Sequence, residues 1–250
     1  MNRLRIILAL LLLACCAQVE AQTTAAANSA RKWEIVDNSF LVEEAFNQEA
    51  GVVQNIFTWM LSRHGAWAGN FTQEWPVPGS RHQFSYSLVF SSTGETTGLG
   101  DLLLNYRLQL RDETARTPAI SPRLSLILPI GRTADGLGGG TTGLDMNLPA
   151  SKQFGDFYLH LNAGYTWLPD VLTATRFAGS GIWRAAPMLN LILEAAAVVD
   201  ESFTLSPGFR RGWNFGERQL VVGIAAPITR AEGRSTTALL TYLSYELPFR

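Results

Sequence analysis

Among the side chains able to do chemistry, four arginines and five carboxylates recur at one parity of long alternating segments. They are Arg107, Arg123, Arg184 and Arg210 against Glu74, Asp101, Asp145, Glu194 and Glu246. A guanidinium group binds a carboxylate bidentately, so the arginines could select an organic anion. They could equally be matched by the carboxylates and form a web of salt bridges. Enzymatic chemistry has little to build on. His64, His82 and His160 stand in no metal-binding spacing, and no nucleophile elbow, H-E-x-x-H or phosphate-binding loop occurs. A hydrolase on a barrel surface would need a serine and a histidine near one rim, which leaves Ser62 and His64 as a weak pair. Gly138-Gly139-Gly140 has no lysine or helix after it and reads as a flexible loop. No cofactor and no metal is expected.

The elements that must position these residues are strands. Phe157 to Trp167, FYLHLNAGYTW, carries two interleaved sets of opposite character. Phe157, Leu159, Leu161, Ala163, Tyr165 and Trp167 form one face, and Tyr158, His160, Asn162, Gly164 and Thr166 the other. The segment has the roughly 9 to 11 residues of a tilted membrane-crossing strand, with aromatic residues at both ends of the apolar row. The same period of two continues from residue 52 to the end of the chain. It predicts strands at 52–62, 67–76, 81–91, 98–111, 119–130, 143–153, 156–168, 174–185, 187–199, 202–211, 218–229 and 236–249. The expected fold is all-β: a closed, antiparallel, up-and-down transmembrane β-barrel of about 12 strands with a short N-terminal helix.

With the apolar rows toward lipid, parity sends Asp101, Arg107, Arg123, Asp145, His160, Arg184, Glu194, Arg210 and Glu246 into the lumen, beside Glu74, Asn105, Asn147, Asn162 and Asn190. A barrel of that size lies between about 8 strands, which side chains can fill, and about 16 to 18, which leave an aqueous channel. Any path should be narrow and shaped by these groups. The longest link, Gly131 to Thr142, falls outside, and Val77-Pro78-Gly79-Ser80 falls on the periplasmic side, as expected of outer-membrane barrels. Asp200-Glu201 is short for an outer loop, and Asp112 to Pro118 is long for an inner turn. Pro149, Pro207 and Pro227 sit inside expected strands, although a closed barrel has no edge to hold them.

Ahead of the barrel, Arg3 and Arg5 precede the apolar run Ile6 to Leu13, and Val19-Glu20-Ala21 fits a small-x-small cleavage site. Residues 1–21 therefore read as a secretory signal peptide, delivering the mature chain to the outer membrane of a Gram-negative cell. The rival is lipidation at Cys15. Both cysteines, Cys15 and Cys16, lie in the segment removed at the later site. Removal changes the balance from 20 basic and 21 acidic residues to 18 and 20, and near-neutrality argues against nucleic acid as partner. Residues 22–50 read as a polar spacer followed by an amphipathic helix, with Phe40, Leu41, Ala45 and Phe46 on one face. That helix either covers the periplasmic opening or works as a plug, with Phe40, Glu43, Glu44 and Phe46 as the gating candidates. Residues 51–250 form the barrel.

The segments VDNSFLVEEAFNQEAGVVQNI (Val36 to Ile56), LSPGFRRGWNF (Leu205 to Phe215), VVGIAAPI (Val221 to Ile228) and YLSYELPF (Tyr242 to Phe249) resemble the outer-membrane proteins grouped under the phenol-degradation meta-pathway name. The resemblance implies an outer-membrane barrel acting as a transporter. This chain departs from the usual aromatic C-terminus, placing Phe249 before a final Arg250. The barrel-assembly machinery would have to read Phe249. The expected partners are outer-membrane lipid and an unidentified small solute. The expected function is passive movement of small polar or amphiphilic solutes, aromatic compounds or organic anions among them. The alternatives are a closed structural or adhesive barrel and a soluble β-sandwich.

Overall fold

A computed structural model describes residues 34 to 249, apart from 36, 64 and 93. The expected signal peptide, the Cys15 alternative, the 22–30 spacer and His64 lie outside the described residues. The described residues belong to one compact unit.

Fourteen strand segments form one closed antiparallel sheet. They are β1 (Val52–Ser62), β2 (Trp67–Trp75), β3 (His82–Ser92), β4 (Thr97–Leu108), β5 (Ala119–Ile120), β6 (Arg123–Leu128), β7 (Gly143–Phe154), β8 (Phe157–Leu168), β9 (Leu172–Ala186), β10 (Leu189–Val198), β11 (Ser202–Phe215), β12 (Arg218–Ala225), β13 (Ile228–Ala231) and β14 (Arg234–Pro248). β5 with β6, and β12 with β13, each make one interrupted stave, so the barrel has twelve staves. It closes where β1 pairs with β14, from Val52 opposite Pro248 to Ser62 opposite Ala238. Both termini of the barrel lie at the end carrying Val52 and Pro248, termed the inner end after the periplasmic start expected from the sequence.

The two interruptions resolve the proline objection. Residues 121–122 lie opposite Pro149 of β7, and 226–227 lie opposite Pro207 of β11. A proline has no N–H to give the ladder, so a proline facing a regular strand would leave a carbonyl without a donor. Here each internal proline faces a break that itself contains a proline, Pro122 or Pro227, and the loss is confined to two places. The amides of Ser121 and Ala226 still reach the carbonyls of Pro149 and Pro207, at 3.2 and 2.9 Å. At the inner end 155–156, 187–188 and 216–217 are two-residue turns, whereas 76–81 and 109–118 are longer, the last as the sequence indicated. At the outer end Glu232-Gly233 turns with both φ positive, at 50° and 75°, the type I′ geometry that matches strand twist.

The barrel is inverted relative to a water-soluble fold. Leu124, Leu148, Leu161, Phe177, Leu193 and Phe203 are all exposed on the outer wall, while Gln54, Gln83, Asn105, Arg107, His160, Glu194 and Arg210 are buried inside. Exposed apolar rows over a polar interior are what a membrane-spanning barrel requires, since lipid covers the outside.

The N-terminal helix expected over Phe40 to Phe46 is not formed. Residues 37–49 are irregular, and among the described residues the one helical turn is Thr133–Asp135 in the outer link between β6 and β7. The physical reason lies in the backbone amides. A helix satisfies them internally, whereas these are claimed by side chains of the barrel wall.

Candidate functional site: an occluded lumen

Residues 34–49 enter the lumen at the inner end and return to Gly51, where β1 begins. Glu34 holds the entry point. Its Oε1 accepts from Arg184 Nη1 at 2.8 Å and from the Tyr158 hydroxyl, and Gln219 Nε2 donates to its carbonyl at 3.1 Å. Deeper in, Asp37 Oδ1 accepts from Gln54 Nε2 at 2.8 Å and from the Tyr242 hydroxyl at 2.6 Å. Arg210 Nη1 donates to the carbonyls of Asp37 and Asn38 at 2.9 and 2.5 Å. Burial pushes the Asp37 carboxyl above its ordinary value of 3.8, against the pull of Arg210 and the hydrogen bonds from Tyr242, Ser244 and Gln54.

The next stretch is held almost residue by residue. Glu194 Oε1 accepts from the amides of Leu41 and Val42 at 2.7 and 3.2 Å. Asn162 accepts from the Glu43 amide at 2.9 Å and donates back to the Glu43 carbonyl at 2.8 Å, as a neighbouring strand would. The Ser151 hydroxyl takes the Ala45 amide at 2.7 Å, Gln109 Oε1 the Asn47 amide at 3.1 Å, and Gln83 Oε1 the Gln48 amide at 2.7 Å. Arg107 donates to the carbonyls of Glu44 and Phe46 at 3.2 and 2.6 Å and to Asn47 Oδ1 at 3.0 Å. Gln48 Nε2 reaches Glu246 Oε1 at 3.3 Å. A buried backbone must find partners somewhere, and here the wall supplies them from five different staves.

An apolar cluster receives two of the segment's side chains. Ile35 and Phe40 pack with Ile56, Ile182, Ile192, Val221, Leu240 and Tyr242. The Phe40 ring lies against Gly208 and Gly223, where any Cβ would collide with it, and tilts against Tyr242 at 5.5 Å between centroids. The wall therefore binds the backbone of this segment by hydrogen bonds and receives Ile35 and Phe40 in an apolar cluster.

All nine residues expected in the lumen face inward, and the structure distributes them. Arg107, Arg184, Glu194, Arg210 and Glu246 hold residues 34–48 directly. His160 hydrogen-bonds Ser151 through Nδ1 at 2.7 Å and meets the edge of Phe46. Arg123 grips the Glu43 carboxylate with both arms of its fork, Nε to Oε2 at 3.0 Å and Nη2 to Oε1 at 2.7 Å, and also reaches Asp145 at 3.1 Å. Asp101 belongs to the outer end, accepting from the amides of Gly131 and Gly139 at 3.1 and 2.8 Å and so folding the long outer link inward. Of the four gating candidates, Phe40, Glu43 and Phe46 touch the wall through their side chains, and Glu44 does so through its carbonyl. Arg176 was not among the candidates. It pairs with Asp145 at 2.5 Å and shares the parity of Arg184 along β9, which is the signal that points to it.

Above the segment, toward the outer end, lies a lumen cavity of about 250 Å³ floored by Leu41 and Glu43 and walled by Arg123, Arg176, Asn147 and Ala196. A larger apolar hollow of about 530 Å³, lined by Leu148, Leu161, Phe177 and Phe203, opens on the lipid-facing wall.

No family model matches the chain, and no curated protein matches it. Among solved structures, it is similar to an outer membrane channel from Pseudomonas putida F1, at a TM-score of 0.65 and 15% identity over 86% of this chain and 100% of that one. That likeness shows the fold of an outer-membrane barrel. Weaker likenesses are to the CymD monoaromatic hydrocarbon channel (TM-score 0.43, 9% identity, 81% of this chain and 90% of that one) and to a bacterial polysaccharide outer membrane secretin (0.43, 9%, 81% and 100%). These two share too little geometry to carry an argument. The resemblance to the phenol meta-pathway proteins has no matching family model behind it.

Proposed function

We propose that the protein is an outer-membrane channel closed at rest by its own residues 34–49, and that it passes small polar or amphiphilic solutes when that segment withdraws. One observation carries the reading: the segment is held by discrete hydrogen bonds from wall side chains to its backbone. Such bonds exchange with water at little net cost, about 0.5–1.5 kcal/mol each, so withdrawal costs chiefly the apolar contacts of Ile35 and Phe40. In the same reading the chain carries out no reaction. Ser151 and His160 lie side by side, but both are buried and the Ser151 hydroxyl is taken by the Ala45 amide. The N-terminal 21 residues act as the export signal, with cleavage after Ala21.

The test is planar-bilayer conductance of the mature chain beginning at Gln22, compared with a form lacking residues 22–48. The intact chain should open briefly and rarely, and the shortened one should conduct steadily. Silence in both forms, from protein shown to be folded and inserted, would replace the channel with a closed structural or adhesive barrel.

A further inference from the structure

The cavity above the plug is amphiphilic. Its polar side is made by Arg123, Arg176 and Asn147, and its apolar side by Leu41, Ala178, Ala196 and Val198. The charges on its polar side are unevenly owned. Arg123, Arg176 and Asp145 belong to the barrel wall and leave it with one excess positive charge, and Glu43, carried by the plug, cancels that charge. Glu74, toward the inner end, lies within electrostatic reach of both Arg107 and Arg123, so the wider wall group of Arg107, Arg123, Arg176, Glu74 and Asp145 still carries one excess positive charge. Glu43 reaches Arg123 in the bidentate form in which a free carboxylate binds a guanidinium group.

We infer that this cavity is a binding site for a short amphiphilic monocarboxylate, whose carboxylate replaces Glu43 on the Arg123 fork and thereby loosens the plug. The inference rests on the reading of residues 34–49 as a removable plug and names the solute class for it. A carboxylate from solution can displace Glu43 without changing the charge of the site, whereas a neutral solute would leave the largely buried Arg123 without its bidentate partner and sharing Asp145 with Arg176, which is costly. The apolar side takes the hydrocarbon portion. At about 250 Å³ the space is just below the ~300–1,000 Å³ usual for drug-sized ligands, which limits the chain to a short one. Because Glu43 and Leu41 form the floor, a ligand seated there touches the plug directly, and its affinity for the plugged and unplugged states must differ. Such a difference is what a ligand needs in order to shift a conformational equilibrium.

The experiment is calorimetric titration of hexanoate, with hexanamide as the uncharged probe, into the refolded full mature chain at fixed ionic strength. Hexanoate should bind and hexanamide should not. Glu43→Gln removes the internal competitor and should tighten hexanoate by about tenfold or more, the worth of one charge-assisted hydrogen bond. Arg123→Lys, which keeps the charge and loses the fork, should weaken it by a similar factor. Far-UV circular dichroism checks folding, and if Arg123→Lys does not fold, Arg176→Lys takes its place. Equal binding of hexanoate and hexanamide, or hexanoate affinity unchanged in both variants, would overturn the inference. The channel reading fails separately, through a silent shortened barrel in a conductance experiment that contains no hexanoate.

Discussion

Replacing Glu194 with alanine should spring the plug. Glu194 is completely buried, and its Oε1 accepts the amides of both Leu41 and Val42. A hydrogen bond to a charged group contributes about 1.5–3 kcal/mol. At the lower figure the two bonds together are worth about 3 kcal/mol in the docked state. In the withdrawn state the same amides are hydrated, so the loss falls on docking alone, and 3 kcal/mol changes the ratio of docked to withdrawn molecules by about 150-fold. Some of this is offset, because alanine also removes a buried carboxylate and its desolvation cost. A rise in open probability of at least about tenfold is therefore the expected net result. Glu194→Gln keeps an acceptor oxygen and makes neutral bonds of about 1 kcal/mol, so its effect should be clearly smaller. Single-channel recording of the three proteins at matched voltage measures this directly. An unchanged open probability in a folded Glu194→Ala protein would refute the reasoning, since it would mean that these bonds do not hold the segment.

Three further outcomes are expected. The raised Asp37 carboxyl means that the docked segment binds a proton more readily than the withdrawn one. Docking is then strongest below the ordinary value of 3.8 and weakens as pH rises through the raised value, so open probability should increase with pH, and Asp37→Asn should flatten that part of the profile. Leu161 is 51% exposed in the middle of β8, and Leu161→Arg on this lipid-facing site should destabilise the inserted barrel by about 2–4 kcal/mol in urea unfolding from lipid vesicles. Asp101→Ala removes both anchors of the outer link between β6 and β7, and limited proteolysis should then cut within residues 129–142 faster than in the unaltered protein while the barrel survives.

The staves were legible because a two-residue period is a local property. In β8, Phe157, Leu159, Leu161, Tyr165 and Trp167 are exposed while Tyr158, His160 and Thr166 are buried, as the alternation of FYLHLNAGYTW requires. The same parity turns Arg107, His160, Glu194 and Arg210 away from the exposed apolar rows, and all four are buried. What parity cannot give is the partner. The spacing of Phe40, Leu41, Ala45 and Phe46 fits a helix, yet Leu41 and Val42 bond to Glu194, Glu43 to Asn162 and Ala45 to Ser151, all more than 100 positions away in sequence. No local pattern encodes a backbone whose hydrogen bonds are supplied by side chains that distant. The prolines stand as an objection in the sequence for a related reason. Pro149 and Pro207 looked like violations until their neighbours across the sheet, the breaks at 121–122 and 226–227, were known. The arginines, weighed as free anion selectors or salt-bridge partners, turn out to divide their work. Arg107 and Arg210 bind carbonyls of the plug, while Arg123 and Arg184 hold carboxylates.

The measurement that bears most directly on the closed-plug account uses the hydroxyls of Ser39 and Ser180, which lie 2.7 Å apart across the boundary between plug and wall. In the mature chain, beginning at Gln22 and so free of native cysteine, Ser39→Cys/Ser180→Cys places two thiols within reach of a disulfide. Single-channel conductance is then recorded before and after reduction of the same preparation. Silence when oxidised, with discrete openings that appear on reduction and vanish on reoxidation, is the expected result. Identical traces in the two redox states, once bond formation has been verified by mass spectrometry, would contradict the claim that residues 34–49 close the pore.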